Sequence, residues 1–159
     1  MNALVFLALL LVSLFVMSYF TKRRFGVLGL ALCAGALLST SWTATLTPWV
    51  ESQGIIFVTP PLSAVVSTLL ILGPSILLLF SGPTYSGQLQ RIIGSVAYAV
   101  LSFVFLLQPV ATAFVFDETG LQIYNAFYAN ANLIIVAGIL LALADILMTR
   151  HPRHAKSHK

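Results

Sequence analysis

Apolar residues fall into five long runs separated by short polar breaks. The runs are Asn2 to Phe20, Phe25 to about Leu46, Pro61 to Phe80, Ile92 to about Phe116, and Tyr124 to Met148. A helix rises ~1.5 Å per residue, so about 20 residues cross a ~30 Å hydrocarbon core. Each run meets that length. None alternates apolar and polar positions as a barrel strand does. The pattern therefore predicts an all-α bundle of five transmembrane helices: 2–20, 25–46, 61–80, 92–116 and 124–148. Residues 1–149 would form one transmembrane domain and 150–159 a basic tail.

The breaks agree with that division. Thr47-Pro48 is expected to close the second helix, because the residue before proline avoids helical angles. Thr59 is expected to cap the third, with Pro60 and Pro61 in its first turn. Ser81-Gly82-Pro83 ends it, and Asp117-Glu118-Thr119-Gly120 reads as a polar turn. Pro74 and Pro109 fall inside the third and fourth runs. Each removes a backbone donor, so both mark kinks. Gln108 or Thr112 is expected to satisfy the carbonyl that Pro109 frees at Phe105.

Charge fixes an orientation. Lys22, Arg23 and Arg24 follow the first run, Arg91 precedes the fourth, and Arg150, Arg153, Lys156 and Lys159 follow the fifth. Glu51, Asp117 and Glu118 fill the other breaks. Basic loops stay in the cytoplasm, so the N-terminus is expected outside and the C-terminus inside. The bases, notably Lys22, Arg23, Arg24, Arg91, Arg150 and Arg153, are expected to meet lipid headgroups. No base precedes the first run, which therefore reads as an anchor rather than a cleaved signal. Trp42, Trp49, Tyr124 and Tyr128 lie near the outer ends of their runs, as interfacial anchors do.

Composition places the chain in a bilayer. Of 159 residues 59% are hydrophobic and 8% charged, against roughly 25% charged in soluble domains. The net charge of +4 sits in loops, which favours membrane contact over nucleic acid. Cys33 is the single cysteine and reads as a small packing residue.

Few residues could carry chemistry. Asp145 is the only acid inside a predicted span. It would serve as a proton relay or ion ligand, or it would reach headgroup water or a base of another loop. Gln108, Asn125 and Asn132 are the other polar candidates, lining an outer vestibule or gluing helices together. Hydroxyls crowd the end of the second run, from Ser39 to Thr47. Small residues spaced by four mark close helix contact: Ala31, Gly35 and Ser39 on the second helix, Ser95 and Ala99 on the fourth, Gly138 and Ala142 on the last. Gly29 lies off the first stripe and is expected to tolerate a larger side chain. His151, His154 and His158 stand in the tail, which reads as lipid-facing rather than metal-binding. Phosphate loops, HExxH and nucleophile elbows are absent, so no catalytic residue, metal or cofactor is expected.

The segment Gln88-Leu-Gln-Arg-Ile-Ile-Gly-Ser-Val-Ala-Tyr-Ala-Val100 resembles the signature of the colicin V production protein family, an aliphatic span entered through a leucine–arginine turn followed by glycine. The earlier part is similar too, with a basic turn containing Arg24 and Gly26 and a small-residue-rich second span ending near Pro48. The resemblance runs over residues 1–110. The chain departs from it in its fifth span and at Tyr98, near which a second glycine belongs. It implies a small multi-span protein of the bacterial inner membrane, linked to export or envelope maintenance, and transfers no functional residue. Together these features point to a non-enzymatic membrane subunit or scaffold, whose partners are the lipid bilayer and other membrane subunits or copies of itself. The rival reading is a small transporter or channel for protons, ions or a small solute.

Overall fold

A computed structural model describes residues 3–55, 60–85, 87–114 and 116–149, with only the backbone of Ala3, Leu4 and Thr149. The described chain is helical, in six elements: α1 (Ala3–Thr21), α2 (Phe25–Ser52), α3 (Leu62–Ser81), α4 (Gln88–Ala113), α5 (Glu118–Ala129) and α6 (Ala131–Thr149). Four of them, α2, α3, α4 and α6, are long and apolar enough to cross a membrane. The apolar stretch of α1, Val5–Thr21, is shorter.

The predicted fifth span is not one helix. It breaks at Asn130, the residue between α5 and α6. Asn130 has left the helical ladder, with its N–H on Phe127 O at 3.2 Å and its amide Nδ2 on Ala126 O at 2.8 Å. A short amide that bonds its own backbone competes with the i to i−4 ladder. The expected turn 117–120 is also different. Asp117 caps α5 by accepting from Gly120 N–H at 3.3 Å, so Glu118 to Gly120 form its first turn.

Other boundaries move less. Thr47-Pro48 does not end α2, which continues through Pro48 to Ser52. Thr43 and Thr47 each donate to the carbonyl four residues back, at 2.7 Å. The cap of α3 is Pro61, and Thr59 lies outside the described residues. The fourth helix runs Gln88–Ala113 rather than 92–116.

α4 is the hub. It packs against every other helix, and Tyr98, Leu101, Leu106 and Leu107 on it are at most 2% exposed. In the bilayer apolar burial gives little drive, so close packing and interhelical hydrogen bonds take its place. Tyr98 supplies one such bond, its hydroxyl lying 3.1 Å from that of Ser75 on α3. α1 runs antiparallel to α4: Phe6 packs on Phe114 at one end, and Arg91 reaches Tyr19 at the other. α6 crosses both α2 and α4.

The most extensive contact joins α2 to α3. Gly35 is buried against the carbonyls of Leu70 and Ile71, and a Cβ there would sit 2.7 Å from Leu70 O. Pro74 explains that carbonyl, because proline leaves the C=O four residues earlier without its donor. One turn on, the Ser39 and Ser67 hydroxyls meet at 2.6 Å. Ala31 is buried on the same stripe. Both pairings fit one antiparallel register, which sets Ala44 opposite Leu62. Residues 45–52 of α2 therefore extend beyond the start of α3.

Gly29 is not the free position its sequence context suggests. It is buried, and a Cβ there would lie 3.1 Å from Ala142 Cβ and 3.2 Å from the Phe25 ring. The small pair on α6 also sits at contacts: Ala142 is fully buried, and a Cβ on Gly138 would come 2.8 Å from Leu101.

We predict that Gly35→Leu destabilises the bundle by roughly 1 to 3 kcal/mol, the scale of overpacking. Gly29→Leu should do likewise, through α6 rather than α3. Ala34→Leu, on the exposed face of α2, should leave thermal aggregation in detergent unchanged. Wild-type behaviour of Gly35→Leu would remove the argument from close backbone approach.

Candidate functional site

Among the described residues, the charges outside the long helices' middles separate by end, with Asp145 the one acid at the basic end. Lys22, Arg23, Arg24 and Arg91 gather where α1 and α3 finish and α2 and α4 begin, while Glu51, Asp117 and Glu118 lie at the opposite end. Arg150 and Arg153 lie outside the described residues, as do the tail histidines.

At the basic end the α1–α2 turn is stitched to the α3–α4 loop. Lys22 takes a left-handed conformation, φ 56°, which turns the chain sharply. Arg23 then pairs antiparallel with Thr84. Arg24 N–H donates to Pro83 O at 3.0 Å and Tyr85 N–H to Lys22 O at 2.9 Å. Two short segments thus satisfy each other's backbone where no helix does.

Two arginines close helix ends. Arg23 Nε donates to Leu79 O at 2.8 Å, Nη2 to Phe80 O at 2.7 Å, and Nη1 to Gly82 O. These are carbonyls at the end of α3, which have no intrahelical donor and carry the negative end of the helix dipole. Arg91 Nε donates to Tyr19 O at 2.7 Å, near the end of α1, and its guanidinium lies 3.7 Å from the centre of the Tyr19 ring. Their guanidinium groups are thus turned onto the protein's own carbonyls.

Asp145 does the converse job. Its Oδ2 accepts from Gly26 N–H at 2.9 Å, in the first turn of α2, and from the Tyr85 hydroxyl at 3.3 Å. That hydroxyl in turn accepts from Phe25 N–H at 3.0 Å. A carboxylate at a helix N-terminus meets both orphan donors and the positive end of the dipole. A hydrogen bond to a charged group contributes roughly 1.5 to 3 kcal/mol. The approach requires glycine at 26, where a Cβ would be 2.6 Å from Ala142 O. It requires glycine at 94 too, where a Cβ would strike the Tyr85 hydroxyl at 2.6 Å. Asp145 on α6, Tyr85 in the loop and the start of α2 thus form one bonded cluster resting on α4.

The remaining polar candidates do not join it. Gln108 is exposed in a cleft between α3 and α4, with Ser63, Ser67 and Thr112. Thr112 bonds the carbonyl of Pro109 at 2.9 Å, not that of Phe105. Asn125 and Asn132 are exposed on α5 and α6. All three belong to the acidic end, a helix length from Asp145. Spacing along the chain does not single out Tyr85, Tyr98, Gly26 or Gly94. The available signal was a tyrosine just past Gly82-Pro83, in a break between two apolar runs that also holds Arg91.

Burial raises the Tyr85 phenol above the ordinary tyrosine value, and the negative Asp145 beside it adds to the rise; the Phe25 N–H bond and Arg24 act against it. The folded protein therefore keeps a proton that the unfolded chain releases near pH ~10. This contribution to stability is complete below that pH and is lost as pH climbs through the folded value. We predict that Tyr85→Phe, which keeps the ring on Gly94 but strands Phe25 N–H, costs about 1 to 3 kcal/mol at neutral pH. Its thermal stability should also fall less steeply than wild type between about pH 9 and 11, on either side of the ordinary phenol value. Parallel curves for the two proteins would exclude Tyr85 as the titrating group.

Comparisons with protein-family models, with curated proteins and with solved structures each give no match to this chain.

Proposed function

We propose that the chain is a non-enzymatic multi-span subunit or scaffold of a larger complex in a bacterial cytoplasmic membrane. In this reading α1, α2, α3, α4 and α6 are the five spans, and the basic end faces the cytoplasm with the N-terminus outside. The separation of basic from acidic ends supports that orientation. The resemblance of residues 88–100 to the colicin V production protein signature supports a link to export or envelope maintenance.

One observation carries the preference for a scaffold over a conduit. The Asp145 carboxylate accepts from the start of α2 and from Tyr85, while Gln108, Asn125 and Asn132 stand at the other end. Between them lies the packed middle of α4, where Leu101, Leu106 and Leu107 are buried and the Tyr98 hydroxyl is bonded to that of Ser75. A transport route needs polar groups or water along its length. The exposed face of α6, including Leu133, Leu140 and Leu147, suits lipid or a neighbouring subunit.

Two measurements test this reading. In a Cys33→Ser background, Thr119→Cys should react with an impermeant maleimide added outside cells, and Ser157→Cys only after permeabilisation. The reverse pattern would invert the topology. Asp145→Asn keeps an acceptor for Gly26 N–H, so it should retain co-purifying partners, and neither it nor the wild type should show solute or proton flux in liposomes. Reconstituted flux that depends on Asp145 would replace the scaffold with a transporter.

A further inference from the structure

Beside the Asp145 cluster, α4 and α6 part and leave a groove open to the side. They touch where Leu101 packs on Gly138, while Ala142 turns toward α2. At the basic end the groove holds a cleft of about 250 Å³. Its walls are apolar, with Ile93, Ala97, Leu141 and Met148, and its mouth is polar, with Arg24, Tyr85, Gln90 and Asp145. A second cleft of about 210 Å³, lined almost wholly by apolar side chains, continues toward Leu133 and shares Ala97 and Leu141 with the first. From Leu133 to Met148 the groove runs about 22 Å along α6 at ~1.5 Å per residue.

We propose that this groove binds one anionic glycerophospholipid, with an acyl chain between α4 and α6 and the phosphate at Arg24. Three features select that occupant. Arg24 Nη1 is buried without a hydrogen-bond partner, though Arg23 and Arg91 bond carbonyls; a guanidinium N–H kept dry calls for an acceptor. Lys22 and Arg91 line a separate cleft that shares Tyr85 with the first, so among the described residues bases outnumber the one acid at this end, and the Asp145 Oδ2 atom is turned to Gly26 and Tyr85. The dimensions match: a lipid chain fills half of a ~30 Å core, about 15 Å, which the groove exceeds. Headgroup, glycerol and chain would thus meet cation, mixed rim and apolar wall in order.

Native mass spectrometry of the full chain in dodecyl maltoside, titrated with phosphatidylglycerol, tests the proposal. One lipid per chain should bind, more tightly than phosphatidylcholine. Arg24→Gln should weaken binding on the order of tenfold, the loss of one charge-assisted hydrogen bond. Ala97→Leu, which fills the point where the clefts join and touches no helix cap, should weaken it at least as much and carries the test if Arg24→Gln fails to fold. Equal binding by wild type and Ala97→Leu would overturn the proposal. So would displacement of the lipid by inorganic phosphate at equal concentration, which would mark a site for the anion alone. A disulfide-linked dimer formed by Ala97→Cys in a Cys33→Ser background would instead assign the groove to a second copy.

Discussion

A helix that stops in or beside a bilayer leaves orphan carbonyls at one end and orphan N–H groups at the other, with little water to receive them. At the basic end of this protein two helices stop and two begin, and α6 arrives alongside. Arg23 closes α3, Arg91 closes α1, and Asp145 with Tyr85 opens α2. The side chains that do so come from different elements in each case. Satisfying the backbone here therefore also fixes which helices are neighbours. The packing of α2 on α6 and of α1 on α4 follows from these bonds as much as from the small residues between them.

The helical class and four membrane-length elements were legible because, in so charge-poor a chain, apolar runs of that length suit a spanning helix and little else. The stripe at Ala31, Gly35 and Ser39 was legible because spacing by four defines a helix face without reference to the rest of the fold. Gly29 and Gly26 were not. They face α6, and which face meets which helix depends on how six elements are arranged. The break at Asn130 is hidden for a related reason: an asparagine inside an apolar run is compatible with a continuous helix, and only its bonds to Phe127 O and Ala126 O show the ladder broken. Pro48 misleads in the opposite sense. Proline is a strong local signal, yet α2 runs through it, and Thr43 and Thr47 bond back to the helix just before it.

The arginines show a subtler limit. Their position predicts a cytoplasmic face, a statement about net charge that needs no geometry. Their bonds depend on the loop at Gly82–Tyr85 lying against the turn at Lys22–Arg24, which no spacing along the chain announces. Charge bias and helix capping are compatible uses of one side chain. In an antiparallel bundle they coincide, because helices that end on the cytoplasmic side present their negative dipole ends there. Arg24 is set apart by having the same location without the carbonyl partners.

The overhang of α2 past α3 bears on how the molecule sits in lipid. At ~1.5 Å per residue α2 is about 42 Å long and α3 about 30 Å. Side by side, they cannot both match one bilayer thickness. The shorter helix sets the depth at which the pair is comfortable, and the surplus of the longer one is placed among headgroups. Trp49 stands on that surplus and Trp42 roughly 10 Å before it, just inside the stretch paired with α3, and both are exposed. In a thin membrane the inner ring lies at the interface, and in a thick one the outer ring does. Hydrophobic mismatch is thus built into a single hairpin, and the protein has two rungs on which to meet membranes of different thickness.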